Sequence, residues 1–486
     1  MKKIFCIALS VILIALFSCV FACSCKGESA NACTYDIECK LEGNTVVGLE
    51  RVEFYNFTDN AFTEIKFNLY GNAFRKDATY KPINEKLNYK AYPNGINYGD
   101  MQINSVKKGD ENLEYAISGK DQNILVVSLK EELFPNESAV IDIGFNLNLA
   151  NVIARTGVND KTINLGNFYP ILCGIEKGEF FECEYYNLGD PFYSDVANYT
   201  VKLTAPSEYV VASSGELIKE SESGNLKTSE YKIDNARSFS MVLSKEFEVL
   251  TKKVGNTTIK YYSYQDEFKE QNLDVIEKSL TFFNQKFGEY PYSTYSVVKT
   301  KFLEGGMEYP ALTMISDEMQ ENQYKEVIVH ETAHQWWQTV VGNNEIKQGF
   351  LDEGLTEYSV VLFYEEHKEF GFTRKDLIEI AEKNYKTFCT VYNKVFNNVN
   401  TKMDRALNEF TSEFEYVNMA YVKPCIMYDY FRTSVGDIKF FNGLKSYYNS
   451  YAFKNASMDD LIASFEKNGA GAKVFFEGFL NGTVII

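Results

Sequence analysis

Two histidines four residues apart, within Glu326–Trp337 (EVIVHETAHQWW), constrain this chain more than any other feature. The window holds two of the three histidines and both tryptophans of a 486-residue sequence. Apolar residues at Val327, Ile328 or Val329, Ala333 and Trp337 recur at helical spacing, and no proline or glycine interrupts Tyr324–Val341, so the pattern predicts a helix. On a helix His330 and His334 share one face, with about 6 Å between them. Two imidazoles at that spacing can hold one zinc ion, while Glu331 on the adjacent face reaches a water at the metal. The plain alternative is a pair of hydrogen-bonded core histidines.

A catalytic zinc needs a third protein ligand, and Gly349–Val360 (GFLDEGLTEYSV) offers Glu353. It follows the loop GNNEIKQG and opens a second predicted helix. Two histidines and one glutamate leave a fourth position for water, which a reactive site requires and a structural zinc site lacks. Glu357, one turn further on, is placed either to orient a ligating histidine or to sit on a solvated helix face.

Around this motif the chain divides near residue 245. From Cys33 to Ser244 short runs alternate apolar and polar residues, as in Asn123–Lys130 (NILVVSLK), Ala139–Leu149 and Asn198–Pro206, with turn residues between them. Residues 30–245 are therefore expected to form a β-rich domain. Asn272–Gly288 has helical periodicity, Tyr295–Thr300 (YSVVKT) reads as a strand, and residues 246–486 are expected to form a mainly helical domain. The fold class is thus α+β with at least two domains. A hydrophobic content of 45% supplies their cores, and a net charge of −18 argues against a nucleic-acid partner.

Residues 1–25 have the form of a secretory leader: two lysines, an apolar run from Ile4 to about Val20, then small residues and cysteines. Leu16–Cys19 (LFSC) and Val20–Cys23 (VFAC) resemble a bacterial lipobox, so Cys19 or Cys23 is a candidate for lipid attachment at the membrane. A simply cleaved leader and an uncleaved anchor are the alternatives. Among the later cysteines, Cys173 and Cys183 flank GIEKGEFFE and are candidates for closing a hairpin by a disulfide.

Three further segments carry a resemblance. His330-Glu331-Thr332-Ala333-His334 with Glu353 is similar to the gluzincin metallopeptidases. Glu304–Pro310 (EGGMEYP) resembles the GxMEN signature of the M1 aminopeptidase family, with Tyr309 in place of its Asn. Tyr421–Pro424 (YVKP) resembles the family's Tyr-x-Lys-Gly, and Gly189–Leu203 resembles the close of its N-terminal domain. The resemblance implies a saddle-like β-sandwich domain followed by a thermolysin-like catalytic domain, in a compact form without the family's C-terminal helical domain. It implies one zinc per chain on His330, His334 and Glu353, Glu331 as general base, and Tyr421 as donor to the oxyanion. Gly305, Gly306 and Met307 would line the substrate, and Glu308 would pair with its α-ammonium. The expected activity is that of an extracytoplasmic aminopeptidase acting on peptides with a free N-terminus. An open-cleft zinc endopeptidase or other hydrolase, and a catalytically silent surface binding protein, are the other readings.

Overall fold

The computed structural model describes residues 33–484. The leader and its candidate lipid sites, Cys19 and Cys23, lie outside the described residues.

Strict alternation of buried and exposed positions builds the first half. Strands β1 (Cys33–Glu42), β2 (Thr45–Tyr55), β3 (Ser138–Asn148) and β4 (Ala197–Pro206) lie side by side in the order β4-β1-β2-β3 within an eight-stranded sheet. β1 runs parallel to β4 and antiparallel to β2. The inward residues of this sheet share one core with two smaller four-stranded sheets. Tyr35 stacks on Tyr199 there with ring centres 4.8 Å apart.

One inward position breaks the apolar pattern. Glu50, opposite Ile37 on β1 and Ile143 on β3, is fully buried, and neither carboxyl oxygen has a partner. Burial raises its pKa well above the ordinary carboxyl value. The folded protein thus keeps a proton that the unfolded chain releases above about pH 4.5, so this position's contribution to stability is full below that pH and falls as pH rises toward the folded-state pKa. Glu50→Met is expected to raise stability at pH 7.5 by about 1–3 kcal/mol, with a smaller gain at pH 4.5. Denaturant midpoints at the two pH values check this, and an equal gain at both would refute the buried-acid account.

The second half begins with a five-stranded sheet. Its strands are β5 (Glu248–Val254), β6 (Thr257–Ser263), β7 (Thr294–Thr300), β8 (Gly306–Met307) and β9 (Leu312–Ser316), in the order β5-β6-β7-β9-β8. β8 is an edge strand, antiparallel to β9. Helix α1 (Lys269–Lys286) packs along α2 (Glu321–Ala333), and α2 packs against α3 (Phe350–Glu366). Helices α4 (Arg374–Phe396) and α5 (Lys423–Val435) pack on each other and on α3. No helix among the described residues is long and apolar enough to cross a membrane.

Two expectations need correction. The motif helix stops at Ala333 rather than continuing to Val341. Val341–Gly342 instead forms a short parallel pairing with Lys454–Asn455, and the turn before it, with Gln338 at φ 129°, carries Trp336 and Trp337 into the core. Cys173 and Cys183 flank a hairpin, in which Ile175 pairs with Phe180, but are free thiols.

Candidate active site and metal centre

α2 delivers His330 and Glu331 from its last turn, and His334 caps it. α3 delivers Glu353 from its first turn. His330 Nε2, His334 Nε2 and Glu353 Oε2 form a nearly equilateral triangle with sides of 3.2, 3.1 and 3.3 Å. The point in its plane equidistant from the corners lies about 1.9 Å from each, within the 2.0–2.1 Å reach of zinc to nitrogen or oxygen.

The proton positions agree with that reading. His334 Nδ1 lies 3.0 Å from the Trp337 carbonyl, which can only accept, so Nδ1 carries the hydrogen and Nε2 presents a lone pair. His330 Nδ1 likewise faces Glu357 Oε2 at 3.2 Å. Two lone pairs and a carboxylate oxygen converging at this distance repel one another unless a cation lies among them. Burial opposes charge on His330, but Glu353 and Glu357 outweigh it and lift its pKa to about 10. Burial also opposes charge on Glu353, yet the histidines hold it down to about 2. The field at this point favours positive charge, and the donor set fits zinc.

Glu331 is buried and its Oε2 has no partner, and burial raises its pKa to about 7. A side chain at Gly306 would meet Glu331 Oε1 at 2.0 Å, so only glycine fits on the edge strand beside this carboxylate. Gly305 precedes it at φ 95°. Met307 is buried, with Arg155 Nη1 3.3 Å from its sulfur. Glu308 is buried with Oε1 unpartnered.

Tyr421 sits on a π-helical turn, Asn418–Val422, just before α5. Such a turn inserts an extra residue and re-aims a side chain, a frequent device at functional sites. Its ring stacks on His330, and its hydroxyl donates to Glu353 Oε1 at 2.6 Å. The structure thus brings every sequence-predicted site residue to one place, but Tyr421 is hydrogen-bonded to the third metal ligand.

Sequence reasoning missed the parts that hold these groups. Gln335, directly after the motif, clamps the segment beyond Glu308 at two points: Oε1 accepts from Ala311 N at 2.9 Å and Nε2 donates to the Tyr309 carbonyl at 3.2 Å. Tyr309 lies against the β domain, where a side chain at Gly166 would meet its hydroxyl at 2.0 Å. A small cavity between the domains is lined by Asn167, Arg237, Glu308, Tyr309, Gln338 and Asn343. Asn167 is buried there with Nδ2 unpartnered. No local pattern marks Gln335 or Asn167, because each matters through a contact distant in sequence.

This centre has the two-histidine, one-carboxylate donor set of a catalytic zinc site. Residues 271–479 match the peptidase family M1 domain. Human aminopeptidase B is 26% identical over 213 residues, which are 40% of this chain and 31% of that protein, so the chain spans under a third of that relative's length. The M1 zinc metallopeptidase of Deinococcus radiodurans shares the fold over 94% of this chain and 95% of its own, with a TM-score of 0.67 at 16% identity. A mutant of that protein bound to a Tyr-Ser-Ala substrate covers the same shares, with a TM-score of 0.63 at 17% identity. The chain is thus similar to the M1 zinc metallopeptidases, by sequence within residues 271–479 and by fold over most of its length.

Proposed function

We propose that the chain is an exported zinc aminopeptidase that removes the first residue of peptides with a free N-terminus. The observation that carries this reading is Glu308, a buried carboxylate with a free oxygen, whose nearest oxygen lies within 4.8 Å of a His334 ring nitrogen. A fixed negative charge beside the metal centre pairs with a substrate's α-ammonium and brings only the first peptide bond to the metal. The Tyr-Ser-Ala complex of the Deinococcus neighbour supports a peptide as the substrate class. The leader-like residues 1–25 support export, with Cys19 or Cys23 as the lipid-bearing first residue; the mass of the mature N-terminal peptide tests both.

His330, His334 and Glu353 would hold the zinc, which would supply Lewis-acid chemistry at the scissile carbonyl and the attacking water. Glu331 takes the proton from that water and passes it to the leaving nitrogen, the task of a carboxylate with a free oxygen and a pKa near 7. Tyr421 Oη turns from Glu353 Oε1 to donate to the oxyanion. Gly305 and Gly306 let the substrate backbone approach the edge strand closely.

The test uses the zinc-loaded protein with free-amine peptides and their N-acetylated counterparts. Stepwise release of single residues from the free-amine set alone is expected. Internal cleavage of both sets would replace this reading with an endopeptidase.

A further inference from the structure

Asp352 precedes the third zinc ligand and no motif reading assigns it a role. It is buried in the first turn of α3, and its Oδ1 accepts from Asn343 Nδ2 at 3.0 Å. One oxygen of Asp352, one oxygen of Glu308 and a ring nitrogen of His334 all lie within 4.8 Å of one another. The two carboxylates come from segments 44 residues apart in sequence (352 − 308), so this approach is made by the tertiary fold. Glu345, also buried and with both oxygens unpartnered, adds a third acid beside Asp352.

Carboxylates this close and this buried repel unless a cation joins them. Asp190, Glu331 and Glu353 also act on Glu308, but Asp190 is already paired with Arg155 Nη1 at 2.7 Å, Glu353 faces the two histidines, and Glu331 lies against Gly306. A second divalent metal is a poor fit. His334 Nε2 closes the zinc triangle and Nδ1 faces the Trp337 carbonyl, so the histidine has no nitrogen left for it. That leaves mainly two carboxylates where a hard divalent ion wants about six oxygens. A primary ammonium, with three N–H donors, asks for less and matches two carboxylates. The place also suits it. A peptide's α-nitrogen lies about 2.5 Å from its first carbonyl carbon, so an ammonium seated one ligand away from the metal brings that carbonyl to the zinc side.

We infer that Asp352 is a specificity-determining residue of this enzyme: with Glu308 it forms a two-carboxylate seat for the substrate's α-ammonium. The inference rests on the aminopeptidase reading and adds to it a residue from the zinc-ligand helix. Asp352→Asn isolates the charge, because asparagine keeps the volume and the oxygen that accepts from Asn343. Asn343→Ala does the reverse, removing that hydrogen bond and leaving the charge.

The experiment measures calorimetric binding of L-leucine amide and N-acetyl-L-leucine amide to zinc-loaded Glu331→Gln protein, alone and with each second substitution. Zinc content and content of other divalent metals are measured beside it. Asp352→Asn is expected to weaken leucine amide binding about 10- to 100-fold, the loss of one charge-assisted hydrogen bond, with zinc content and the acetylated ligand unaffected. Asn343→Ala is expected to leave the preference for the free amine within about 3-fold of its parent. An unchanged preference in Asp352→Asn overturns the inference and leaves the aminopeptidase reading standing. Equal loss in Asn343→Ala also overturns it, by making Asp352 a scaffold. A second divalent ion per chain that Asp352→Asn removes makes the pair a metal site and overturns it as well. If the parent protein itself binds both ligands equally, the aminopeptidase reading fails, and this assignment with it.

Discussion

Glu331→Gln is expected to lower kcat about 10²- to 10⁴-fold while the protein still binds one zinc per chain. The substitution keeps size and shape where shape is demanding, since the carboxylate lies against Gly306 with no space for a side chain between them. It leaves the ligand set intact. The polar contacts of His330, His334 and Glu353 run among themselves and to Glu357, Trp337, Thr356 and Tyr421. What is lost is the ability to accept a proton at a carboxylate oxygen that has no other partner. Zinc content by elemental analysis and single-turnover rates on a free-amine peptide decide the matter. A rate within about 5-fold of the parent, with zinc bound, would remove Glu331 as the base.

Arg237→Ala is expected to destabilise the protein by about 3–5 kcal/mol and to uncouple its two halves. Arg237 follows the long strand that pairs with β4, and it is buried where the β domain meets the loop after the zinc motif. Nε donates to the Gln338 carbonyl at 2.7 Å, Nη2 to the Lys454 carbonyl at 2.7 Å, and Nη1 to the Ser194 carbonyl at 3.1 Å and to Asn455 Oδ1. Truncation leaves those acceptors unsatisfied in the interior and takes the nearby cation from half-buried Asp195. A lysine does not replace the planar fork, so Arg237→Lys is expected to recover only part of the loss. Gly342 is tied to the same contact, since a side chain there would meet the guanidinium at 2.1 Å. Denaturant unfolding followed separately by near-ultraviolet circular dichroism and by zinc release measures the effect. A single transition shifted by less than about 1 kcal/mol would show that other contacts hold the domains together.

These two residues differ in how far the sequence announces them. Glu331 lies inside a five-residue motif whose geometry is set by one helical turn, so its relation to His330 and His334 follows from helical spacing alone. Arg237 is one arginine in a β-rich segment, and its partners lie 101 to 218 residues later in the chain as well as 43 residues earlier. Asn167 and Gln335 are illegible for the same reason. The extent of the motif helix was misread because nothing local stops it. Its end is set by the burial of Trp336 and Trp337, whose ring nitrogens donate to the Gly288 carbonyl and to Ser359 Oγ, and by the pairing of Val341–Gly342 with Lys454–Asn455.

The sequence by itself determined the alternation that builds the β domain and the helical spacing that sets His330, Glu331 and His334 together. Each depends on periodicity within one element or on a motif short enough for backbone geometry to govern. The tertiary structure alone decided that Tyr421 bonds to Glu353, that Gln335 clamps the segment beyond Glu308, and that Asp352 comes within 4.8 Å of Glu308. Those relations join side chains from separate elements, and their distances exist only once the sheet, α2, α3 and the π turn have packed.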